Sequence, residues 1–212
     1  MIYEIDPTKP LVALTFDDGP NRTTTNEVLD VLEEYNVRAS FFLIGNNINF
    51  ITEDVMLRAH EMGCELDNHS MTHSDMTRMT PEEIQEEITF VSDKIEEITG
   101  IRPSFFRPPY IAVNSTMYET IDMTFISGVG CNDWDINVTV QERIDNTLNQ
   151  VKDGTIILLH DSRGNSQTVE ALKTIIPTLL EKGYQFVTVT ELFETKGVAI
   201  DPKDINMYTV VK

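Results

Sequence analysis

The apolar run Leu11-Val12-Ala13-Leu14-Thr15-Phe16 passes without a break into Asp17-Asp18-Gly19-Pro20. A short continuous apolar run that ends on a Gly-Pro turn signal reads as a strand buried on both faces. The polar stretch after it leads into a helical pattern from about Asn26 to Tyr35, with Val28, Leu29, Val31 and Leu32 on the apolar side. SFFLIG (Ser40 to Gly45) is a second strand, and about Ile51 to Met62 a helix stopped by Gly63. Thr80-Pro81-Glu82-Glu83 is a capping box with proline at the first helical position, which predicts a helix to about Thr99, ended by Gly100. Thr139, three residues before Glu142, opens another helix that is expected to end near Gly154. TIILLH (Thr155 to His160) is a strand, about Gln167 to Glu181 a helix closed by Gly183, and about Gln185 to Thr190 a last strand. A short helix and an irregular tail follow. Strand and helix alternate throughout, which implies an α/β chain with a largely parallel sheet or barrel. In such folds the chemistry gathers at the carboxyl ends of the strands.

The bulk composition narrows the function. The 212 residues suit one domain, and 41% hydrophobic residues leave enough for a sizeable core. No stretch approaches the about 20 apolar residues of a membrane helix, so no membrane association is expected. MIYEIDPTKP has neither a basic n-region nor an apolar h-region, so no signal peptide is expected in this stretch, which says little about location. A net charge of -19, from 35 acidic and 16 basic residues, argues against a nucleic-acid partner, because phosphate binding needs clustered Lys and Arg. Cys64 and Cys131 fall in apolar segments without a metal-binding spacing, and buried free thiols are expected.

Five groups stand where strands stop. Asp17 and Asp18 are adjacent carboxylates, and keeping both ionised needs a cation or a proton. His69-Ser70-Met71-Thr72-His73 holds two of the chain's four histidines. At i and i+4 on a helical turn they would face the same way, toward one metal. Arg107-Pro108-Pro109-Tyr110 is stiffened by its prolines and fixes where arginine and tyrosine point. Asp133-Trp134 closes the apolar stretch from Phe125 to Val129. His160-Asp161 ends the apolar TIILL run, where an emerging imidazole suits proton transfer better than packing. His60, late in a helix, reads as structural.

TFDDGP, HSMTH, RPPY, DW and LLHD, in this order, resemble the five motifs of the polysaccharide deacetylases, carbohydrate esterase family four. The resemblance runs from Leu11 to about Phe193, and the stretch from Gly154 to Asp201 is most similar to bacterial acetylxylan esterases. The resemblance implies a distorted TIM-like (β/α) barrel in a single domain spanning 1–212, with a core of about 11–193. It implies Asp17 as general base, acting on metal-activated water, and Asp18, His69 and His73 as ligands of one divalent ion, zinc, cobalt or nickel. Arg107 would hold Asp17 ionised, and Tyr110 would offer its backbone N–H to the oxyanion. Asp133 would orient His160, the general acid, while Trp134 and Leu158 would shape the acetyl pocket. No GxSxG appears in the sequence, and this set needs no nucleophilic serine or cysteine.

Three positions depart from the family pattern. Ile111 follows the RPPY tyrosine where glycine is frequent, and Gly130 stands where an aspartate is frequent. Asp67 replaces a usual glycine, and it is expected either to strengthen metal binding or to face solvent. The activity implied is acetate release from acetylated xylan, in a secreted or cell-surface monomer whose partner is an acetylated polysaccharide. The alternatives are N-deacetylation of chitin oligomers or peptidoglycan and a non-catalytic carbohydrate-binding domain.

Overall fold

Residues 11–19 are almost wholly buried because both faces of the strand they form are covered. The computed structural model describes residues 4–212. Its elements are β1 (Leu11–Gly19), α1 (Thr24–Glu34), β2 (Ser40–Leu43), α2 (Glu53–Glu61), β3 (Glu65–Asn68), α3 (Pro81–Thr99), β4 (Phe105–Phe106) and α4 (Ser115–Thr120). Then come β5 (Thr124–Phe125), β6 (Val129–Gly130), α5 (Val140–Leu148), β7 (Thr155–His160), α6 (Ser166–Glu181), β8 (Gln185–Val187) and α7 (Val189–Lys196). The sheet order is β5-β4-β3-β2-β1-β7-β6, every pairing parallel, with β8 added beside the first residues of β1. One edge of β1 is therefore shared, Leu11 to Ala13 with β8 and Thr15 to Gly19 with β2. This curled sheet is the barrel expected from the sequence.

Alternation along the strands separates two cores. Leu11, Ala13, Phe42, Phe105, Ile126, Ile156 and Val187 fill the barrel interior. Val12, Leu14, Phe16, Phe41, Ile157 and Leu159 face outward against α1, α2 and α6. A smaller cluster, with Ile84, Ile88, Phe106, Met117 and Phe125, lies under α3 and α4. Both predicted capping boxes are present, Thr80 with Glu83 and Thr139 with Glu142. A third, Thr188 with Glu191, cuts the last strand to three residues, because Thr188 leaves the sheet to cap α7.

Other boundaries move too. Helix α5 stops at Leu148, short of Gly154, because Lys152 to Thr155 form a tight turn into β7. The carboxyl-terminal tail is not irregular throughout. Tyr208 bridges Ile126, Val210 bridges Thr155, and Val211 is buried. Gly154 makes this docking possible: its φ is +83°, and a Cβ there would lie 1.8 Å from the Val211 carbonyl oxygen. Gly154→Ala should therefore lose about 2 kcal/mol or more, from left-handed strain plus the displaced tail, read as a lowered denaturant midpoint. An unchanged midpoint would show that the tail does not dock as described.

Candidate active site

A β-bulge decides how the two aspartates are presented. In the pairing of β1 with β2 the register slips between Asp17 and Gly19, so Asp18 is the extra residue, with φ +78°. Neighbouring residues of a regular strand point to opposite faces, but a bulge re-aims one of them. Both carboxylates therefore reach the same cleft, which measures about 610 Å³. The Asn47 side chain donates to the Asp18 carbonyl at 2.8 Å and braces the bulge. Gly19 has no room for a Cβ, which would come within 2.7 Å of Asp161 Oδ2.

The two histidines meet at Asp18, although not through a helical turn. Residues 69–73 form an irregular loop after β3, in which Ser70 and His73 are left-handed, with φ of +68° and +58°. The expectation of a helical turn is corrected here: the reversal comes from those two residues, and the rings are 4.9 Å apart. His69 Nε2 lies 3.7 Å and His73 Nε2 3.5 Å from Asp18 Oδ1. One ligand atom from each of the three lies within 4.8 Å of the others.

This donor set fits a divalent cation on three counts. Asp18 Oδ1 is buried without a hydrogen-bond partner. His69 Nδ1 sits 2.6 Å from the Arg107 carbonyl, which only accepts, so Nδ1 carries the hydrogen and Nε2 is left bare toward Asp18. Burial pushes the His69 pKa down despite Asp17 and Asp18 nearby, which favours the neutral, ligating form. One carboxylate and two imidazoles suit zinc or a similar late divalent ion and leave coordination positions open.

Asp17 is 2% exposed and lies inside the barrel mouth. Its Oδ1 accepts from Arg107 Nη1 at 2.6 Å, while Oδ2 is 3.8 Å from His69 Nε2. Burial alone would raise its pKa, but the charge of Arg107, then that of His160 and the Arg107 hydrogen bond, outweigh that and hold it below the ordinary carboxylate value. Arg107 is itself fully buried, bonded to the Ser127 carbonyl at 2.7 Å and seated 4.1 Å over the Phe42 ring.

His160 is the in-register neighbour of Asp17 across β1 and β7. Its Nδ1 is 2.8 Å from Asp133 Oδ1, and its backbone N–H donates to Asp133 Oδ2 at 2.8 Å. Burial works against the imidazolium, but the hydrogen bond and charge of Asp133, with Asp17 and Asp18 beyond, push the pKa up to about 9. Asp133 is braced in turn. The Thr168 hydroxyl donates to its Oδ2 at 2.7 Å, and buried Arg143 donates to both Thr168 and Asn165.

Leu158, Trp134 and Tyr110 line the same cleft. Trp134 is 66% and Tyr110 69% exposed, and the Tyr110 ring meets His73 edge-on at 4.8 Å. Tyr110 and Ile111 are both left-handed, with φ of +58° and +56°. For β-branched Ile111 that conformation is strained, and glycine would adopt it freely. The ten sequence-assigned residues thus converge on one cleft, nine lining it and Arg107 beneath it. Asp67 does neither of the things expected of it. It is fully buried inside the barrel, its Oδ1 accepts from the Phe105 N–H at 3.2 Å, and burial and Glu65 raise its pKa well above the ordinary value. Asn47, Thr168, Asn165 and Arg143 were not singled out from sequence, because polar residues in loops and helix starts carry no pattern that marks a long-range partner. Cys64 and Cys131 are buried free thiols, as expected.

A sequence profile of the polysaccharide deacetylase family matches residues 4–125. The chain is 54% identical over 188 residues to the bifunctional xylanase/deacetylase of Pseudobutyrivibrio xylanivorans, covering 89% of this chain and 31% of that protein. It is 38% identical over 193 residues to the peptidoglycan-N-acetylmuramic acid deacetylase PdaC of Bacillus subtilis, covering 91% of this chain and 40% of that one. The chain therefore spans about a third to two fifths of the length of these relatives. Among solved structures, the family 4 acetyl xylan esterase of Clostridium thermocellum in complex with a cobalt ion superposes with a TM-score of 0.93 at 44% identity, covering 95% of this chain and 98% of that one. The chain belongs to the polysaccharide deacetylase family, a family of metal-dependent hydrolases.

The Asp133–His160 pair gives a measurable titration. In metal-free protein the His160 ring protons should titrate by NMR near pH 9, and in Asp133→Asn the midpoint should fall toward or below 6.5. The folded pKa lies above the unfolded one, so the stability this pair contributes is full below about 6.5 and lost as pH rises through about 9. A wild-type midpoint near 6.5 would contradict the pairing.

Proposed function

We propose that this member of the polysaccharide deacetylase family releases acetate from acetylated xylan, with Asp17 as base and His160 as acid. The observation that carries the proposal is the placement of a depressed carboxylate and a raised imidazole side by side across β1 and β7, next to three convergent metal donors. Groups whose environments push their pKa values apart are the signature of an acid–base pair. A divalent ion held by Asp18, His69 and His73 would supply positive charge that acidifies water and polarises the acetyl carbonyl.

The chain's own residues then divide the work. Asp17, with Oδ1 tied to Arg107, has Oδ2 free to take a proton from the attacking water. Arg107 keeps Asp17 ionised while it waits, and the backbone N–H of Tyr110 is assigned to the oxyanion of the tetrahedral intermediate. His160 carries its second proton on Nε2, because Nδ1–H is committed to Asp133. It delivers that proton to the departing sugar oxygen. Leu158 and Trp134 provide the apolar wall for the acetyl methyl, and exposed Tyr110 and Trp134 flank an open cleft that admits an extended polymer.

Preference for the ester is supported by likeness, since the xylanase/deacetylase and the acetyl xylan esterase match at 54% and 44%, against 38% for PdaC. N-Deacetylation of peptidoglycan or chitin oligomers is the second reading, favoured by the match to PdaC. Polymeric xylan lies outside cells, so the proposed substrate implies an extracellular or cell-surface site of action. Acetate release from acetylated xylan should exceed release from acetylated chitooligosaccharides, and a chelator should abolish it until zinc, cobalt or nickel is restored. The reverse substrate order, or full activity in demonstrably metal-free protein, would overturn the proposal. Asp17→Asn and His160→Ala should each lower kcat by about a hundredfold or more on acetylxylan. With an activated aryl acetate, whose leaving group needs no proton, His160→Ala should lose far less than Asp17→Asn.

A further inference from the structure

Helix α3 carries several glutamates, and one of them, Glu87, is buried at 5% exposure. Both of its oxygens are taken by a single residue. The Thr72 backbone N–H donates to Oε2 at 2.8 Å, and the Thr72 hydroxyl to Oε1 at 2.7 Å. Thr72 stands immediately before His73, inside the loop whose Ser70 and His73 are left-handed. The same helix grips the start of that loop. Asn68 Nδ2 donates to the Ile88 carbonyl at 2.8 Å and to Ser92 Oγ at 3.0 Å, while its Oδ1 accepts the Ser70 N–H at 2.8 Å. Within the loop, the His73 N–H donates to Ser70 Oγ at 3.0 Å.

A loop with two non-glycine residues in the left-handed region relaxes unless its surroundings hold it. The backbone bonds from Gly45 and Asn46 hold only Ser70 and Met71. Thr72, the link to His73, is held by Glu87. Packing alone does not explain a glutamate here, since burying a carboxylate costs free energy that an apolar side chain avoids. Both oxygens are spent on one loop residue, so the return for that cost lies in the loop.

We propose that Glu87 is a positioning residue for the metal site: by clamping Thr72 it fixes the backbone at His73, so that Nε2 points at Asp18 and the site grips a divalent cation. The proposal rests on Asp18, His69 and His73 being the ligands. It concerns affinity and ligand geometry, and no proton transfer by Glu87 is involved.

The test is cobalt(II) binding to the chelator-stripped full chain, by competition with a chromophoric chelator and by the visible absorption of the bound ion. Outer-shell partners of metal ligands typically change affinity by 10- to 100-fold, so Glu87→Ala should weaken cobalt binding by about tenfold or more and alter the spectrum. Glu87→Gln, whose amide oxygen still accepts one bond, should stay within about threefold of wild type, a rescue set against that same range. Adding Thr72→Ala to Glu87→Ala should cause little further loss, because both remove one link. Ile95→Ala, a buried cavity on the same helix, should lower the melting temperature and leave cobalt affinity alone. Wild-type affinity and spectrum in Glu87→Ala would overturn the proposal, whatever its melting temperature, as would an equal loss in Ile95→Ala. Should Glu87→Ala fail to fold, Thr72→Val decides in its place, with weakened binding expected and unchanged binding contrary. A wild-type chain that takes up no cobalt would instead refute the ligand assignment itself.

Discussion

A buried guanidinium bonded to a buried carboxylate closes the mouth of this barrel, and the site is built around that pair. Arg107 and Asp17 are each removed from water, which carries a desolvation cost that their mutual attraction only partly offsets. The surroundings lower that cost, since the Ser127 carbonyl takes a second guanidinium hydrogen and the Phe42 ring lies under the cation, while Nε stays buried without a partner. Removing either partner of such a pair leaves an uncompensated charge and typically costs about 3–5 kcal/mol. Arg107 also fixes more than Asp17. Its backbone carbonyl receives the His69 Nδ1 hydrogen, so one residue sets both the ionisation of Asp17 and the tautomer of His69.

The backbone conformations that glycine favours gather at the same end of the barrel. Asp18, Ser70, His73, Tyr110, Ile111 and Asn132 all have positive φ without being glycine, Asp18 in the bulge at the end of β1 and the others in loops after strands; among the described residues Asn36 alone lies elsewhere. Such conformations persist only where tertiary contacts over-determine them. Here those contacts are identifiable, with Asn47 on the Asp18 carbonyl and Asn68 on the Ser70 N–H. The strands supply a rigid frame in which irregular loops can be held at fixed positions, and the irregularity lets side chains from five loops converge.

This division explains what was legible in the sequence. The apolar run at Leu11, the capping boxes at Thr80 and Thr139 and the apolar TIILL segment are local patterns, and each forms the predicted element. That these ten residues gather in one cleft was legible because five motifs stand at strand ends. Their geometry was not: a four-residue histidine spacing suggests a helical turn, and nothing local to HSMTH announces that Asn68 and helix α3 will hold it open instead. Asp67 failed for the same reason. Its position in a four-residue strand leaves its face ambiguous from sequence, and the pairing with Phe42 turns it into the barrel. The extent of the carboxyl-terminal tail was invisible too, because bridges at Ile126 and Thr155 are long-range pairings.

What distinguishes an ester from an amide must lie outside the shared machinery, since base, acid and metal donors serve either bond. The chemical demand differs in one respect: an amine leaves only when protonated, whereas an alkoxide tolerates later proton delivery. The imidazole of His160, its pKa pushed up to about 9, stays protonated at neutral pH and can serve either leaving group. The walls are where the two bonds can be told apart. Trp134 and Tyr110 stand exposed on an open cleft, and Gly130 on its rim projects no side chain that would grip a particular sugar substituent. On the proposed function, the exposed Trp134 and Tyr110 rings would be stacking surfaces for a sugar chain laid across this open rim, with its acetyl carbonyl between Asp17 and His160.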